Sequence, residues 1–269
     1  MLKASASVQR VSGIEKGISA AARLRIMQAL LFAALMALWY ALTETEVLPT
    51  FFFGQPIAVF KCVVQWFVTG EIFYHLWMTS VETVLGFTIG ASLALICGLW
   101  FALSPTASSL SDPYIKAINA MPRVILAPIF SMWFGLGIWS KVALGVTLVF
   151  FVVFFNVYQG VREVSPVVLA NARMLGASKG QLLRTVYLPS ATSWVFSSLH
   201  TSVGMAFVGA VVGEYLGSSA GVGYLILQAE GVFDVNTVFA GIVVLTMAAL
   251  LLDALVGIVE RRLLKWRPT

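Results

Sequence analysis

Six long apolar stretches constrain this chain more than any other feature: residues 26–43, 76–103, 113–134, 142–160, 192–216 and 237–259. Crossing the hydrocarbon core of a bilayer takes about 20 mostly apolar residues in helical form, and these stretches meet or approach that length. Backbone polar groups in lipid must be satisfied within the segment, which a helix achieves and a lone strand does not. The stretches also lack the alternating pattern of barrel strands. The expected fold is all-α, a polytopic membrane helical bundle of about six transmembrane helices. Composition agrees, since 59% hydrophobic residues, 11% charged residues and a mean hydropathy of +0.92 do not suit a water-soluble globule.

Basic residues orient the bundle. Most of the 17 lysines and arginines fall in three places: the amino tail (Lys3, Arg10, Lys16, Arg23, Arg25), a polar segment (Arg162, Arg173, Lys179, Arg184) and the carboxyl tail (Arg261, Arg262, Lys265, Arg267). In a six-span chain these lie on one side. Lys61 and Lys141 fall in the opposite loops with Glu44, Glu46, Glu71, Glu230 and Asp234. The positive-inside rule then puts both termini in the cytoplasm. The expected organisation is a basic cytoplasmic tail at 1–25, a transmembrane domain at 26–259 and a second basic tail at 260–269, with no soluble domain. Lipid head groups account for the net charge of +5, so a nucleic-acid partner is not expected. The first stretch reads as an uncleaved anchor, because it is long for a signal core and no small-x-small site follows it before Glu44.

The polar segment SPVVLANARMLGASKGQLLRTVYLP, residues 165–189, is the informative interruption. Ser165 and Pro166 form a helix start, the hydroxyl as cap and the proline at the first position, where it loses no needed donor. The helix runs to about Leu175. Gly176 supplies the left-handed turn, and Ser178 with Gln181 makes a capping box that opens a second helix. Val168, Leu169, Leu175, Leu182, Leu183 and Val186 interleave with Arg173, Lys179 and Arg184, giving one apolar and one basic face. Pro189 is expected to close the element. A cytoplasmic helix pair of this kind, in a chain without a soluble domain, is a docking element for another protein.

The remaining connections are short or interfacial. Residues 44–75 read as an aromatic outer segment, with a helix over 56–69 lying on the membrane and Trp66 and Phe67 at head-group depth. Residues 217–234 are apolar for too short a run to cross and read as a re-entrant or interfacial helix over the outer mouth. Trp133, Phe134, Trp139, Phe154 and Phe155 are expected in the interface belt and against lipid. Gly86 with Gly90, and Gly209 with Gly213, have the spacing that lets helix backbones approach, within one subunit or between two.

Ionisable groups within spans are costly and mark candidate sites. Glu82 and His200 stand out, either as solute contacts or as a mutual hydrogen bond. Glu214 lines a path or caps a structure, and Asp253 is expected to pair internally. Lys116 and Arg123 flank Pro122, where the missing amide bends the third span. Cys62 and Cys97 suggest neither a disulfide framework nor a metal cluster. With only His75 and His200, and no convergent nucleophile, acid and base, no catalytic residues and no metal site are expected. The chain has no GxxxxGK[ST] loop, so it does not cradle nucleotide phosphates by that route.

The segment 165–189 resembles the cytoplasmic loop of ABC-importer permeases, in which a Glu-Ala-Ala stretch leads to Gly and ends near Leu-Pro. The match here is Ala170, Asn171 and Ala172, then Gly176, Ala177 and Ser178, and later Leu188 and Pro189. The resemblance covers about residues 26–267. The segments LSPTASSLSDPYIKAINAMPRVILAPIFSMWFGLG and VGAVVGEYLGSSAGVGYLILQA are similar to the nitrate, sulfonate and taurine branch. One departure is that the glutamate opening the motif is Ala170 here.

The resemblance implies a type I importer permease in the bacterial inner membrane, its coupling helices seated on an ATP-binding cassette subunit. Ala170, Asn171, Ala172, Arg173, Leu175, Gly176, Ala177, Ser178, Leu182, Leu183 and Pro189 are then the coupling residues. Glu82, His200, Glu214 and Arg123 are the solute-path candidates. The implied partners are two ATPase copies, which bind the ATP and magnesium, a second copy of this chain, and a periplasmic protein that delivers a small, commonly anionic solute such as a sulfonate, taurine or nitrate. No cofactor is expected in this chain. The alternative, an ion-gradient-driven secondary transporter or channel, calls for internal repeats and midplane carboxylates and leaves the helix pair unexplained.

Overall fold

The computed structural model describes residues 20–263, and over that range the chain is helical with no strand. Lys3, Arg10, Lys16, Lys265 and Arg267 lie outside the described residues. In order, the helices are α1 (Ala20–Glu44), α2 (Thr50–Phe53), α3 (Pro56–Thr69), α4 (Glu71–Leu103), α5 (Pro105–Ala120) and, after a 3-10 turn over Arg123–Ile125, α6 (Leu126–Phe134). Then come α7 (Ile138–Arg162), α8 (Pro166–Met174), α9 (Lys179–Leu182), a π turn over Leu183–Tyr187, α10 (Leu188–Ser197), α11 (Leu199–Leu216), α12 (Val222–Gly231) and α13 (Val235–Leu263). Arg23 and Arg25 belong to α1, so that helix begins ahead of the apolar stretch.

Among the described residues six helical segments are long and apolar enough to cross a membrane, or seven when a bent pair is counted as one span. The stretch 113–134 is broken: the two helical pieces either side of Met121–Pro122 are bent by 75°. Pro122 lacks an N–H and forces the preceding residue out of helical geometry; Met121 accordingly has ψ 134°. The bent pair counts as a further, broken span, and Thr50–Thr69 also passes the test of length and apolarity. Trp66 is buried, packed with Val59, Ile72, Val222 and Val244. Phe154 leaves the expected belt and joins the core with Val149, Val153 and Val157, whereas Trp133, Phe134 and Trp139 are exposed.

The core is a three-helix crossing of α4, α7 and α11. A methyl group built on Gly209 would lie 2.6 Å from the Gly145 Cα, and one on Gly86 would lie 3.3 Å from the same atom. Backbones approach this closely only where no side chain intervenes, so the glycine spacings serve packing within one chain. At one end of the bundle α4, α7 and α13 finish and the α8–α9 hairpin projects. At the far end α12 packs against α4, α11 and α13, a ten-residue helix too short to cross, as expected.

Candidate functional site

The hairpin is built by local chemistry. Ser165 precedes α8, but its side chain makes no capping hydrogen bond, so the expected hydroxyl cap is absent and Pro166 at the first helical position marks the start. The exit is a Schellman motif: the Gly176 amide donates to the Arg173 carbonyl and the Ala177 amide to the Ala172 carbonyl, both at 3.0 Å, with Gly176 at φ +81°. The capping box also forms. Ser178 Oγ accepts from the Gln181 amide at 3.3 Å, and Gln181 Oε1 accepts from the Ser178 amide at 2.7 Å.

Pro189 does not close the element. The chain stays helical from Lys179 to Ser197, and the wide π turn immediately before the proline is where the hydrogen-bond ladder adjusts to its missing donor. The hairpin's second helix therefore runs on into α10, which a turn at Ser198 separates from α11. Its apolar residues divide between two surfaces. Leu182 is buried and Leu169, Leu183 and Val186 are half-buried, which seats the hairpin on the bundle. Met174 and Leu175 at the tip are 80% and 88% exposed, with Val167 and Val168 beside them. Arg173 and Lys179 flank a groove shared with Leu103, Leu183 and Tyr187. Ala170, Asn171 and Ser178 are exposed, and Ala172 and Ala177 half-buried.

The embedded ionisable residues separate into three places. Glu82 and Glu214 come together at the far end of the core, buried at 2% and 0% exposure, with the fully buried Lys141 between their helices. Glu214 accepts from Thr79 Oγ1 at 2.6 Å and from the Gly223 amide at 2.8 Å. Lys141 Nζ donates to the carbonyls of Leu136 at 2.7 Å and Gly137 at 3.1 Å. Glu82 Oε2 has no hydrogen-bond partner. The cluster joins α4, α7, α11 and α12. Sequence reasoning placed Lys141 in a loop, because it stands at the very start of an apolar run; nothing local showed that α7 begins before it.

His200 does not bond Glu82. Its Nδ1 lies 2.8 Å from Asp253 and its Nε2 2.8 Å from Glu260, both on α13 and both near the hairpin end. Asp253 is thereby paired within the chain, as expected. Arg123 stands alone at the break between α5 and α6, where it donates to the Asn119 carbonyl at 3.0 Å, contacts the Asn119 side chain and lies 4.4 Å over the Phe151 ring. Among the described residues no group of three or more His, Cys, Asp or Glu side chains is placed to hold a metal ion.

The described residues thus form a helical membrane bundle from which a helix pair with an apolar tip projects. Residues 86–265 match the family described as the binding-protein-dependent transport system inner membrane component, and the chain belongs to that family. It is an ABC-importer permease, a multi-pass inner-membrane subunit that works with an ATPase and a solute-binding protein. It is 33% identical over 238 residues to the putative aliphatic sulfonates transport permease protein SsuC of Bacillus subtilis, covering 88% of this chain and 86% of that one. It is 32% identical to the riboflavin transport system permease protein RibX of Chloroflexus aurantiacus, covering 86% and 87%. It is 27% identical to the taurine transport system permease protein TauC of Escherichia coli, covering 87% of each. In fold it is similar to the inward-facing MetNI methionine ABC transporter, with a TM-score of 0.62 at 16% identity over 74% of this chain and 96% of that one. Membership of this family does not favour the ion-gradient alternative.

Proposed function

We propose that the hairpin 165–189 is where this permease receives work from its ATPase, and that two copies of the chain enclose a path for a small sulfonate-like solute. The exposed pair Met174–Leu175 carries the reading: two large apolar side chains held in water by a rigid Schellman turn have a partner to meet. Because α9 runs on as helix into α10, which packs on α7, a force on the hairpin reaches the core through helix. The names of the SsuC and TauC relatives support a sulfonate or taurine cargo. In this arrangement one ATPase serves each copy, ATP and magnesium stay on the ATPase, both termini and the hairpin face the cytoplasm, and a periplasmic protein supplies solute at the α12 end.

Co-purification from membranes containing permease and ATPase tests the coupling. Leu175→Asp leaves the bundle intact and is expected to lower ATPase recovery at least tenfold, as is Met174→Asp. Undiminished recovery with both variants would overturn the assignment.

A further inference from the structure

The break between α5 and α6 holds the features of a solute-contact site. No residue of α5 is buried, yet the helix lies within the transmembrane domain. Its polar residues Ser109, Asp112, Lys116 and Asn119 are all exposed and recur at intervals of three and four, which puts them on one stripe, and Asn119 at its end is bonded by Arg123 across the break. A polar stripe at membrane depth is stable only against water or protein. Asp112 and Lys116 neutralise one another through a 2.6 Å ion pair. Arg123 is different. Of the cations in α5 to α11 that lie within spans, Lys141 is near Glu82 and Glu214, His200 bridges Asp253 and Glu260, and Arg123 has no carboxylate beside it.

Its depth is fixed by Phe151, the ring beneath the guanidinium, which stands one residue past the middle of the 25-residue α7. Nε has no hydrogen-bond partner, and the flanking Met121, Pro122 and Val124 are exposed. An uncompensated cation at mid-membrane, held by a ring face and a helix-end carbonyl, is stabilised by an anion arriving from the path.

We propose that Arg123 is the specificity-determining residue of the solute path, and that the stripe from Ser109 to Asn119 is the water-lined wall leading an anionic head group, sulfonate or carboxylate, to it. The proposal rests on the reading of the chain as a path-forming permease and names the charge class of its solute.

The test uses the complete transporter, with ATPase and binding protein, in proteoliposomes. Cys62 and Cys97 are replaced by Ala, and Ala120→Cys is introduced at the exposed end of α5, next to Asn119 and three residues before Arg123. Modification rates are measured with two thiol reagents of similar size, the anionic 2-sulfonatoethyl and the cationic 2-(trimethylammonium)ethyl methanethiosulfonates. The anionic reagent is expected to react faster, with the rate ratio falling about tenfold in Arg123→Gln and holding in Arg123→Lys. An inert cysteine, a preference for the cationic reagent, or a ratio unaltered by Arg123→Gln would overturn the proposal. Should Arg123→Gln fail to assemble, the preference measured with Arg123 present decides it. ATPase association is read on the same preparations, so a failure of the coupling assignment is separable from a failure of this one.

Discussion

Thr79 and Glu214, 135 residues apart in sequence, share a 2.6 Å hydrogen bond in which the Thr79 hydroxyl donates to the buried carboxylate. The same hydroxyl accepts from the Val222 amide at 3.2 Å, and the second Glu214 oxygen accepts from the Gly223 amide at 2.8 Å. The opening turn of α12 is thus held by side chains of α4 and α11. Gly221, at φ +103°, packs against the Glu214 carboxyl where any Cβ would collide with it. A ligand or partner that displaces α12 therefore pulls directly on the core.

Thr79→Val should release this anchor while conserving volume. It strands the Val222 amide and one Glu214 oxygen, each costing about 1–3 kcal/mol when buried and unpaired. The expected result is a lower melting temperature in detergent and faster hydrogen exchange over 220–231, with Thr79→Ser close to the parent. Unchanged exchange in Thr79→Val would show that α12 is held by apolar packing alone.

Lys141 stabilises two buried carboxyl groups at once, and its own charge is met by the carbonyls of Leu136 and Gly137. Lys141→Met should destabilise the bundle by about 1–3 kcal/mol, because it strands the Leu136 and Gly137 carbonyls and leaves the buried Glu82 and Glu214 without a cation between their helices. The triple variant with Glu82→Gln and Glu214→Gln should recover part of that loss, because no carboxyl group then lacks its cation. Thermal unfolding of the three proteins measures this, and a triple variant less stable than Lys141→Met contradicts it.

In the hairpin, Ser178→Ala removes one half of the capping box and should cost about 0.5–2 kcal/mol of local stability. Gly176→Ala forces a side chain into left-handed geometry at a cost of about 1–2 kcal/mol, although open space surrounds the position. Both are expected to speed exchange over 177–187 and reduce ATPase recovery, while global melting moves little. A large global shift would mean that the hairpin belongs to the folding core.

How much was legible in the sequence follows from how locally each feature is determined. The Gly176 turn and the Ser178–Gln181 box are short-range hydrogen-bond patterns and read correctly, as did the bend at Pro122. Pro189 reads as a stop from its missing donor alone, whereas a π turn ahead of it keeps the chain helical. The embedded charges were recognisable as costly, but not which way they face. Glu82 and His200 were paired only because each is polar in an apolar helix, and the α4–α7–α11 crossing turns Glu82 inward while His200 faces α13. Lys141 escaped notice because both its carboxylate neighbours come from distant helices. An aromatic residue type suggests the membrane interface for Phe154, but it carries no information about which face of a helix meets its neighbours, and Phe154 packs in the core.

His200 spans two carboxylates of α13 near the hairpin end, next to a groove walled by Val203, Phe207, Leu250 and Val256. A carboxyl group within so apolar a helix is costly without its imidazole partner. His200→Leu should therefore loosen α11 from α13 in the hairpin half of the bundle, raising exchange over 199–204 and 252–260 and leaving the α12 anchor protected. Adding Asp253→Leu to that variant removes the stranded carboxyl group and should restore much of the protection. Strictly additive effects in the two-residue cycle would mean that the pair contributes no coupling between the helices.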